Sequence, residues 1–519
     1  MASIKATSSP HTVRGSTPTQ KEGRPELLRN YINGKWVPAK RGRTFESRNP
    51  ADVREVVGVA PDSDATDVEA AAEAARRAYR SWAGTPAPKR GELLYRVAEM
   101  LVEQKEVLGR IVVREMGKVL PEAMGDVQEA IDMTYYMAGE GRRLCGETVP
   151  SELSNKDAKS LRVPVGVFGL ITPWNFPVAI PAWKIMPALI SGNTVVFKPS
   201  EETPTCAERF IRLLCEAGLP PGVVNLVHGF GETAGEPLVC HPEVDAISFT
   251  GSNAVGERLA VLCAERHKPL TMETGGKNPI IVMEDADINL AVEGALWGGF
   301  GTSGQRCTAA SRLIVHEAVH NLFVEKYIER ASRLKLGSGL ERKTDLGPVV
   351  SAAQYQKVLD YIEIGKQEGA RLVLGGVAHR RGACAHGHFI RPTIFVEVRP
   401  EMRIAREEIF GPVVCILKVS NLTEAIAVAN DTPFGLSAAI YTRDVSRSAI
   451  AERDLDAGLV YINASTIGAE IQLPFGGTKR TGAGPREAGG RGGGLDTYTK
   501  WKVIYRDFSG QLQKAQITE

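Results

Sequence analysis

A thiol, a side-chain amide and a carboxylate stand in settings suited to acyl chemistry. Cys307 lies in Gly304-Gln305-Arg306-Cys307-Thr308, where the glycines at 298, 299, 301 and 304 are read as opening an accessible loop after a helix ending near Trp297. A thiolate there would attack a carbonyl, with Arg306 beside it to stabilise the negative charge. The tetrahedral adduct then needs donors for its oxyanion. Asn175, just beyond a strand end in Trp174-Asn175-Phe176-Pro177, offers an amide, and the Cys307 backbone N–H offers a second donor. Hydrolysing a thioester needs a base for water. Glu273, in Met272-Glu273-Thr274-Gly275-Gly276-Lys277, sits at a strand-to-loop junction where burial would raise its pKa toward a working base. Taken singly, each residue also has a structural reading: a packed thiol, an Asn closing a proline-rich turn, a structural carboxylate.

A second group of residues points to a nucleotide. A strand over 194–197 runs into Lys198-Pro199-Ser200-Glu201, at the carboxyl end of a parallel strand, where such sheets bind nucleotides. Lys198 could meet a phosphate or a ribose hydroxyl and Glu201 could accept from ribose hydroxyls; a solvated charge pair is an equal reading. In Phe249-Thr250-Gly251-Ser252-Asn253-Ala254-Val255-Gly256 a strand ends and a helix opens, so backbone N–H groups could approach a phosphate. This is not GxGxxG, and Gly229-Phe230-Gly231 is no more specific; a plain turn explains either.

The elements that must position these groups are legible in the periodicity. Residues 31–37 (YINGKWV) read as a hairpin turning at Asn33-Gly34. Val68, Ala71, Ala75, Ala78 and Trp82 recur at spacings of three and four behind Asp62 and Ser63, which predicts an amphipathic helix. Further helices are predicted over 90–115 and 121–139. Residues 163–183 carry no charge and are long enough to cross a bilayer, but Pro164, Pro173, Pro177 and Pro181 exclude an unbroken helix. That stretch reads as a buried strand followed by a proline-rich loop. Strands over 165–171, 194–197, 223–227 and 246–249 alternate with helices over 205–217, 233–239 and 253–265. Such alternation implies parallel strands, right-handed crossovers and a doubly wound sheet. A second α/β unit follows, with strands over 279–283 and 312–315 and helices over 288–297, 323–334, 354–368 and 423–430. Residues 498–508 alternate like an edge or swapped strand suited to a subunit contact. Residues 489–494 (GGRGGG) read as a flexible loop.

Composition bounds the rest. At roughly 150 residues per domain, 519 residues allow about three domains or one multi-lobed enzyme. With 43% hydrophobic and 24% charged residues, global disorder is excluded. Sixty-three Lys+Arg against 61 Asp+Glu give +2, so no global charge draws the chain to nucleic acid or an anionic membrane. The eight cysteines are scattered without CxxC, which fits neither a zinc site nor a disulfide scaffold and points to a reducing, cytoplasmic setting. Before Glu22 the chain is Ser/Thr-rich and lacks acids, as in a transit peptide, but Pro10 and Pro18 interrupt the helix such a peptide needs. Residues 1–27 are read as a disordered extension.

Together these motifs resemble the NAD(P)-dependent aldehyde dehydrogenase superfamily over residues 31–505. The matching segments are PWNFP at Asn175, KPSE at Lys198, FTGSNAVG, METGGK at Glu273, GQRCTAASR at Cys307, EEIFGP at Glu408 and Phe410, and LPFGGTKRTG at 473–482. The resemblance implies an α/β fold: a Rossmann-type doubly wound NAD(P)-binding domain (28–145 and 163–272), a second α/β catalytic domain (273–485) and a small β oligomerisation extension (146–162 and 486–519). It implies that Cys307 attacks an aldehyde to give a thiohemiacetal, that Asn175 and the Cys307 amide hold the oxyanion, and that hydride passes to a nicotinamide. Water activated by Glu273 would then hydrolyse the thioester. Lys184 and Glu487 match positions linked to a proton path to that base.

On the cofactor side, Lys198, Ser200 and Glu201 match adenosine-ribose contacts, Gly251 and Gly256 the dinucleotide turn, and Glu408 the nicotinamide-ribose contact with Phe410 packed nearby. Ile171, Thr172, Pro173, Trp174, Gly231, Phe249, Thr250, Ser252, Thr274 and Gly275 complete the implied cofactor contacts. Phe176, Trp183, Arg306, Thr308, Ile467 and Phe475 match the walls of a substrate tunnel. Thr274 replaces a usual Leu and Thr302 a usual Asn; neither removes a group the chemistry requires. Glu201 would repel a 2′-phosphate and so supports NAD, while Lys198 and Ser200 could admit NADP.

The segments 139–152, 461–477 and 505–516 look like the α-ketoglutarate semialdehyde dehydrogenase branch. A carboxylate-bearing semialdehyde would need a cationic or hydroxyl anchor, for which Arg306, Thr308, Arg142 and Arg143 are candidates, each also open to ordinary pairing. The expected partners are a small aldehyde and further copies of the chain in a homodimer or homotetramer, with no metal, nucleic acid or membrane. Two other readings compete: a coenzyme A-acylating enzyme, which the presence of Glu273 opposes, and a catalytically silent structural protein on the same fold. The latter would have no reason to keep Cys307, Asn175 and Glu273 together.

Overall fold

Residues 25–517 are described in the computed structural model. The expectation for 1–27 therefore lies almost wholly outside the described residues, and its last part is corrected: Glu26–Leu27 is a strand paired in parallel with Val56–Pro61. Among the described residues, an eight-stranded sheet runs in the order Gly482–Ala483, Leu270–Glu273, Ala246–Thr250, Val167–Ile171, Thr194–Lys198, Val224–Leu226, Asn30–Ile32 and Lys35–Val37. Its middle five strands are parallel. The order of strands reverses between Val167–Ile171 and Ala246–Thr250, which opens a crevice at their carboxyl ends. The predicted hairpin caps one edge, with Asn33 and Gly34 both at positive φ, as a tight two-residue turn demands.

A seven-stranded sheet follows in the order Arg371–Leu374, Thr393–Val396, Val413–Val419, Ala310–His316, Asn278–Val282, Ser437–Tyr441 and Leu459–Ile462. Only its first pair is antiparallel. A third sheet centres on Lys156–Pro164, flanked antiparallel by Thr148–Pro150 and Thr499–Asp507. It leaves Trp501, Val503 and Tyr505 exposed, as the alternation in 498–508 anticipates. No described helix is long and apolar enough to cross a membrane.

Four expectations are corrected. The helix predicted over 90–115 is two, Ala87–Glu103 and Lys105–Met116, parted at Gln104 (φ −96°, ψ 7°). The apolar spacing runs through that break from Leu101 to Leu108, so periodicity could not reveal it. The proline-rich loop is shorter than expected, because Ala179–Ser191 is a helix. Pro181 falls in its first turn, where no intrahelical N–H is needed. All but one of the helix's residues are buried, so it has no polar face to betray its period. The helix expected to end near Trp297 runs through Gly298 and Gly299 to Phe300. Finally, GGRGGG is largely packed: Gly489, Gly490, Gly493 and Gly494 are buried, and a Cβ on Gly493 would meet the Ala488 carbonyl oxygen. Close approach of backbone, rather than slackness, explains that glycine.

Candidate active site

Cys307 follows a tight turn over Gly301–Gly304 in which Thr302 (φ 52°) and Ser303 (φ 57°) are left-handed. Gly304 (φ 69°) completes it, and a Cβ there would run into the Gly411 carbonyl. Groups distant in the chain pin this turn. Glu122 Oε1 accepts from the Thr302 N–H (2.8 Å), and Gln305 Oε1 accepts from the Val350 N–H (2.9 Å). Asn278 Nδ2 donates to the Cys307 (2.7 Å) and Ala309 (3.0 Å) carbonyls. The expected open loop is thus a buried, fully tied turn, and Cys307 is only partly exposed. Burial first, then the carboxylates Glu408 and Glu273, push its thiol up to about 12, so it rests protonated. The expectation that Arg306 stabilises a thiolate is corrected too. Its guanidinium pairs with Glu122 (3.3 Å), donates to Thr302 Oγ1 (2.8 Å), and lies over the rings of Trp297 (4.8 Å) and Phe176 (5.6 Å).

Glu273 ends the strand Leu270–Glu273 and is 5% exposed. Gly477 N–H donates to its carboxylate (3.3 Å), and a Cβ on Gly476 would strike that carboxylate. The glycines of LPFGGTKRTG therefore give the acid its room. Burial, then the neighbouring Glu487, raise its pKa well above the ordinary range, as expected from the sequence. Glu487 pairs with Lys184, which is fully buried and also donates to Ser248 Oγ (2.9 Å). Thr250 Oγ1 donates to Glu487 as well (3.4 Å).

These groups meet at one pocket, open to solvent and spanning about 640 Å³. Cys307, Glu273, Glu487, Thr250 and Thr274 line it, together with all six residues predicted for the tunnel: Phe176, Trp183, Arg306, Thr308, Ile467 and Phe475. Trp183 and Phe475 meet edge to face (5.2 Å, 79°). Lys184 reaches this wall only through Glu487, and Asn175 is not part of it. Asn175 is buried, and its Oδ1 has no hydrogen-bond partner among the described residues. Arg142 and Arg143 stand outside the cavity, Arg143 paired with Glu140 (2.7 Å), so neither serves as its anchor. Sequence reasoning missed Glu129, Ile180, Leu436, Gly468 and Ala469 in the lining, and Asn278 behind Cys307. For Glu129 a signal existed: Glu122, Asp126 and Glu129 recur at spacings of four and three on one face of the helix Leu120–Glu140.

The residues predicted to hold a dinucleotide gather at the crevice where the eight-stranded sheet reverses. Thr172, directly after the Val167–Ile171 strand, has a buried Oγ1 without a partner among the described residues. Gly231 faces open space at the start of a short π-helical turn. Ser252 caps the helix Asn253–Ala264 through the Val255 N–H (3.4 Å), so other first-turn N–H groups stay available to an anion. Lys198 and Glu201 pair at 3.2 Å at the end of Thr194–Lys198. The second sheet's side contributes Glu408, fixed by the Gly276 N–H (2.9 Å) and so close to Gly275 that a Cβ there would meet its carboxylate. Phe410 (φ 58°) packs edge-on against Trp174 (5.3 Å, 85°). An orphaned hydroxyl, open space at Gly231 and unspent N–H groups fit a dinucleotide. One neighbour was not foreseen: Glu202, whose carboxyl burial and Glu201 push up to about 7.

Comparison with known proteins places this geometry. The Aldehyde dehydrogenase family profile matches residues 36–504. The chain is 44% identical to alpha-ketoglutaric semialdehyde dehydrogenase of Bacillus subtilis (strain 168), over 92% of this chain and 97% of the relative. It is 43% identical to alpha-ketoglutarate semialdehyde dehydrogenase of Haloferax volcanii, over 92% and 99%. Among solved structures, betaine aldehyde dehydrogenase of Staphylococcus aureus in complex with NAD+ superposes with a TM-score of 0.91 at 36% identity, covering 93% of this chain and 95% of that one.

Proposed function

The chain belongs to the aldehyde dehydrogenase family and is an oxidoreductase, and from that premise we propose that it oxidises a carboxylate-bearing semialdehyde, such as α-ketoglutarate semialdehyde, to the acid. The observation that carries this reading is that Cys307 and the pKa-raised Glu273 line one cavity beside the dinucleotide crevice. Lys198, Ser200, Glu201, Gly251, Gly256 and Glu408 would hold NAD or NADP, which when bound supplies a hydride acceptor. Glu201 at the ribose edge favours NAD, and its pairing with Lys198 leaves NADP open.

The chain's own groups do the rest. Glu273, whose burial gives it a high proton affinity, takes the Cys307 proton. The sulfur bonds to the aldehyde carbon, and the oxyanion accepts from Asn175 Nδ2 and the Cys307 N–H. Once hydride has left, the carbon is held as a thioester. Glu273, having first passed the thiol proton on toward Glu487, removes a proton from water, the hydroxide adds to the thioester carbon, the C–S bond breaks, and the acid departs from the restored thiolate. The proton on Glu273 leaves toward Glu487, held in place by Lys184 and Thr250. Glu273 on the cavity wall favours this hydrolysis over transfer to coenzyme A.

The exposed Trp501, Val503 and Tyr505 suit pairing with a further copy of the chain, and eight unpaired cysteines suit a reducing compartment. The test is a panel of semialdehydes and plain aldehydes with NAD and NADP, with and without coenzyme A. Semialdehydes should give the highest kcat/KM without coenzyme A, and Cys307→Ala should abolish turnover. Full activity in Cys307→Ala, or strict dependence on coenzyme A, would overturn the reading.

A further inference from the structure

Five ionisable side chains cluster on and behind one wall of the cavity, Glu129 and Arg306 lining it and Lys118, Glu122 and Asp126 packed behind, and none has a place in the chemistry above. Lys118 is buried, pairs with Asp126 (3.0 Å) and lies over the Phe176 ring (3.5 Å). Asp126 also accepts the Ala179 N–H (2.7 Å) at the start of the helix Ala179–Ser191. Arg306 pairs with Glu122, as described. Two cations are thus matched by two carboxylates, and the fifth group, Glu129, is left over. It lines the same cavity as Cys307 and has no hydrogen-bond partner among the described residues.

We propose that Glu129 reads the far end of the substrate, accepting semialdehydes when its carboxyl is protonated and donates to their carboxylate, and excluding them when it is ionised. The inference rests on the semialdehyde reading and goes beyond it by assigning the recognising group and its proton. With Glu129 ionised, Lys118, Arg306, Glu122, Asp126 and Glu129 sum to one negative charge, and a carboxylate entering the cavity is repelled. With Glu129 neutral, these five groups sum to zero and the carboxyl offers an O–H to an anionic oxygen, a strong charge-assisted hydrogen bond. The groups facing it are Glu122, Asp126 and Asp132 on its own helix, Lys118 from the preceding segment, and Arg306 and Cys307 from the nucleophile turn. Burial, then Asp126, push Glu129 up to about 7, against the opposing pull of Lys118 and Arg306. The switch between the two forms therefore falls in the physiological range. A protonated donor means that binding of the anion is strongest below this pKa and weakens as pH rises through it.

The experiment compares KM for succinic semialdehyde with KM for butanal, a neutral aldehyde of the same chain length, from pH 6 to pH 9. In the unaltered enzyme the ratio should climb, approaching tenfold per pH unit above about 7. In Glu129→Gln, which keeps a donor but cannot ionise, the ratio should stay flat. A flat ratio in the unaltered enzyme, or the same climb in Glu129→Gln, would overturn the inference while leaving the dehydrogenase function standing. Oxidation of neither aldehyde would remove the function, and the inference with it.

Discussion

The cavity has two acidic walls, and they are built on the same arithmetic. Around Glu273, the cations are Lys184, which is spent on Glu487, and Arg486, which donates to the Gly477 carbonyl, so neither pairs directly with Glu273. On the opposite account, Glu122 and Asp126 take Arg306 and Lys118, and Glu129 remains. In each wall the unmatched carboxyl is the one whose pKa is raised, because burial without a dedicated cation favours the neutral form. The walls differ in their surroundings. Glu273 is seated among Gly476, Gly477 and Gly482, which leave space around its oxygens. Glu129 projects from a helix whose neighbouring charges are already locked into pairs. The comparison teaches that pairing, rather than residue type, decides which acid is free to handle a proton, and that local space decides whether it meets water or substrate.

The sharpest way to break this distinction is Glu273→Gln. It should lower steady-state kcat by about 10²–10⁴-fold while a first burst of reduced cofactor survives in rapid-mixing experiments, because only deacylation needs the base for water. Normal turnover would mean that the Glu273 wall is no more catalytic than the other. In the unaltered enzyme, kcat/KM should rise with pH as Glu273 loses its proton, with a midpoint above that of an ordinary glutamate, since burial and Glu487 hold the proton on.

A second change tests the pairing itself. Lys184→Met leaves Glu487 buried without its cation and should cost about 3–5 kcal/mol of stability by denaturant unfolding. The same variant should move the rising limb of the pH–rate profile upward, because an unneutralised Glu487 raises Glu273 further. An unmoved limb would show that the two carboxylates are not coupled. The smallest effect is expected on the other wall. Glu122→Gln keeps an acceptor for the Thr302 N–H but frees the Arg306 charge, so KM for semialdehydes should fall, by about three- to tenfold at roughly 1 kcal/mol, while KM for neutral aldehydes holds. An equal change for both would mean that Arg306 only shapes the cavity.

Much of this was legible in the chain. The alternation of apolar runs predicts the central strands of the eight-stranded sheet to within a few residues, but only Asn278–Val282 and Ala310–His316 of the seven-stranded one, and the glycine and proline motifs mark the segments around Cys307, Asn175 and Glu273. The Ala179–Ser191 helix was hidden because a nearly all-buried helix has no polar face, and its prolines read as loop. The tied state of the nucleophile turn was hidden because its anchors, Asn278, Glu122 and Thr466, come from segments that no local pattern connects to it. Glu129 stood in plain view on a helical face, but a carboxyl on a helix reads as solvated until the partner surface is known.

Amino-acid order alone singled out Cys307, Asn175 and Glu273 as candidates and the strand ends and glycine-rich segments that carry them, because turn propensity and strand period depend on near neighbours. Only the tertiary structure decided which charges cancel. Lys184 meets Glu487 across 303 positions and Arg306 meets Glu122 across 184, and at such separations electrostatic partnership is a matter of distance and burial in space. Proton affinities at the cavity follow from those partnerships, and so they too belong to the fold.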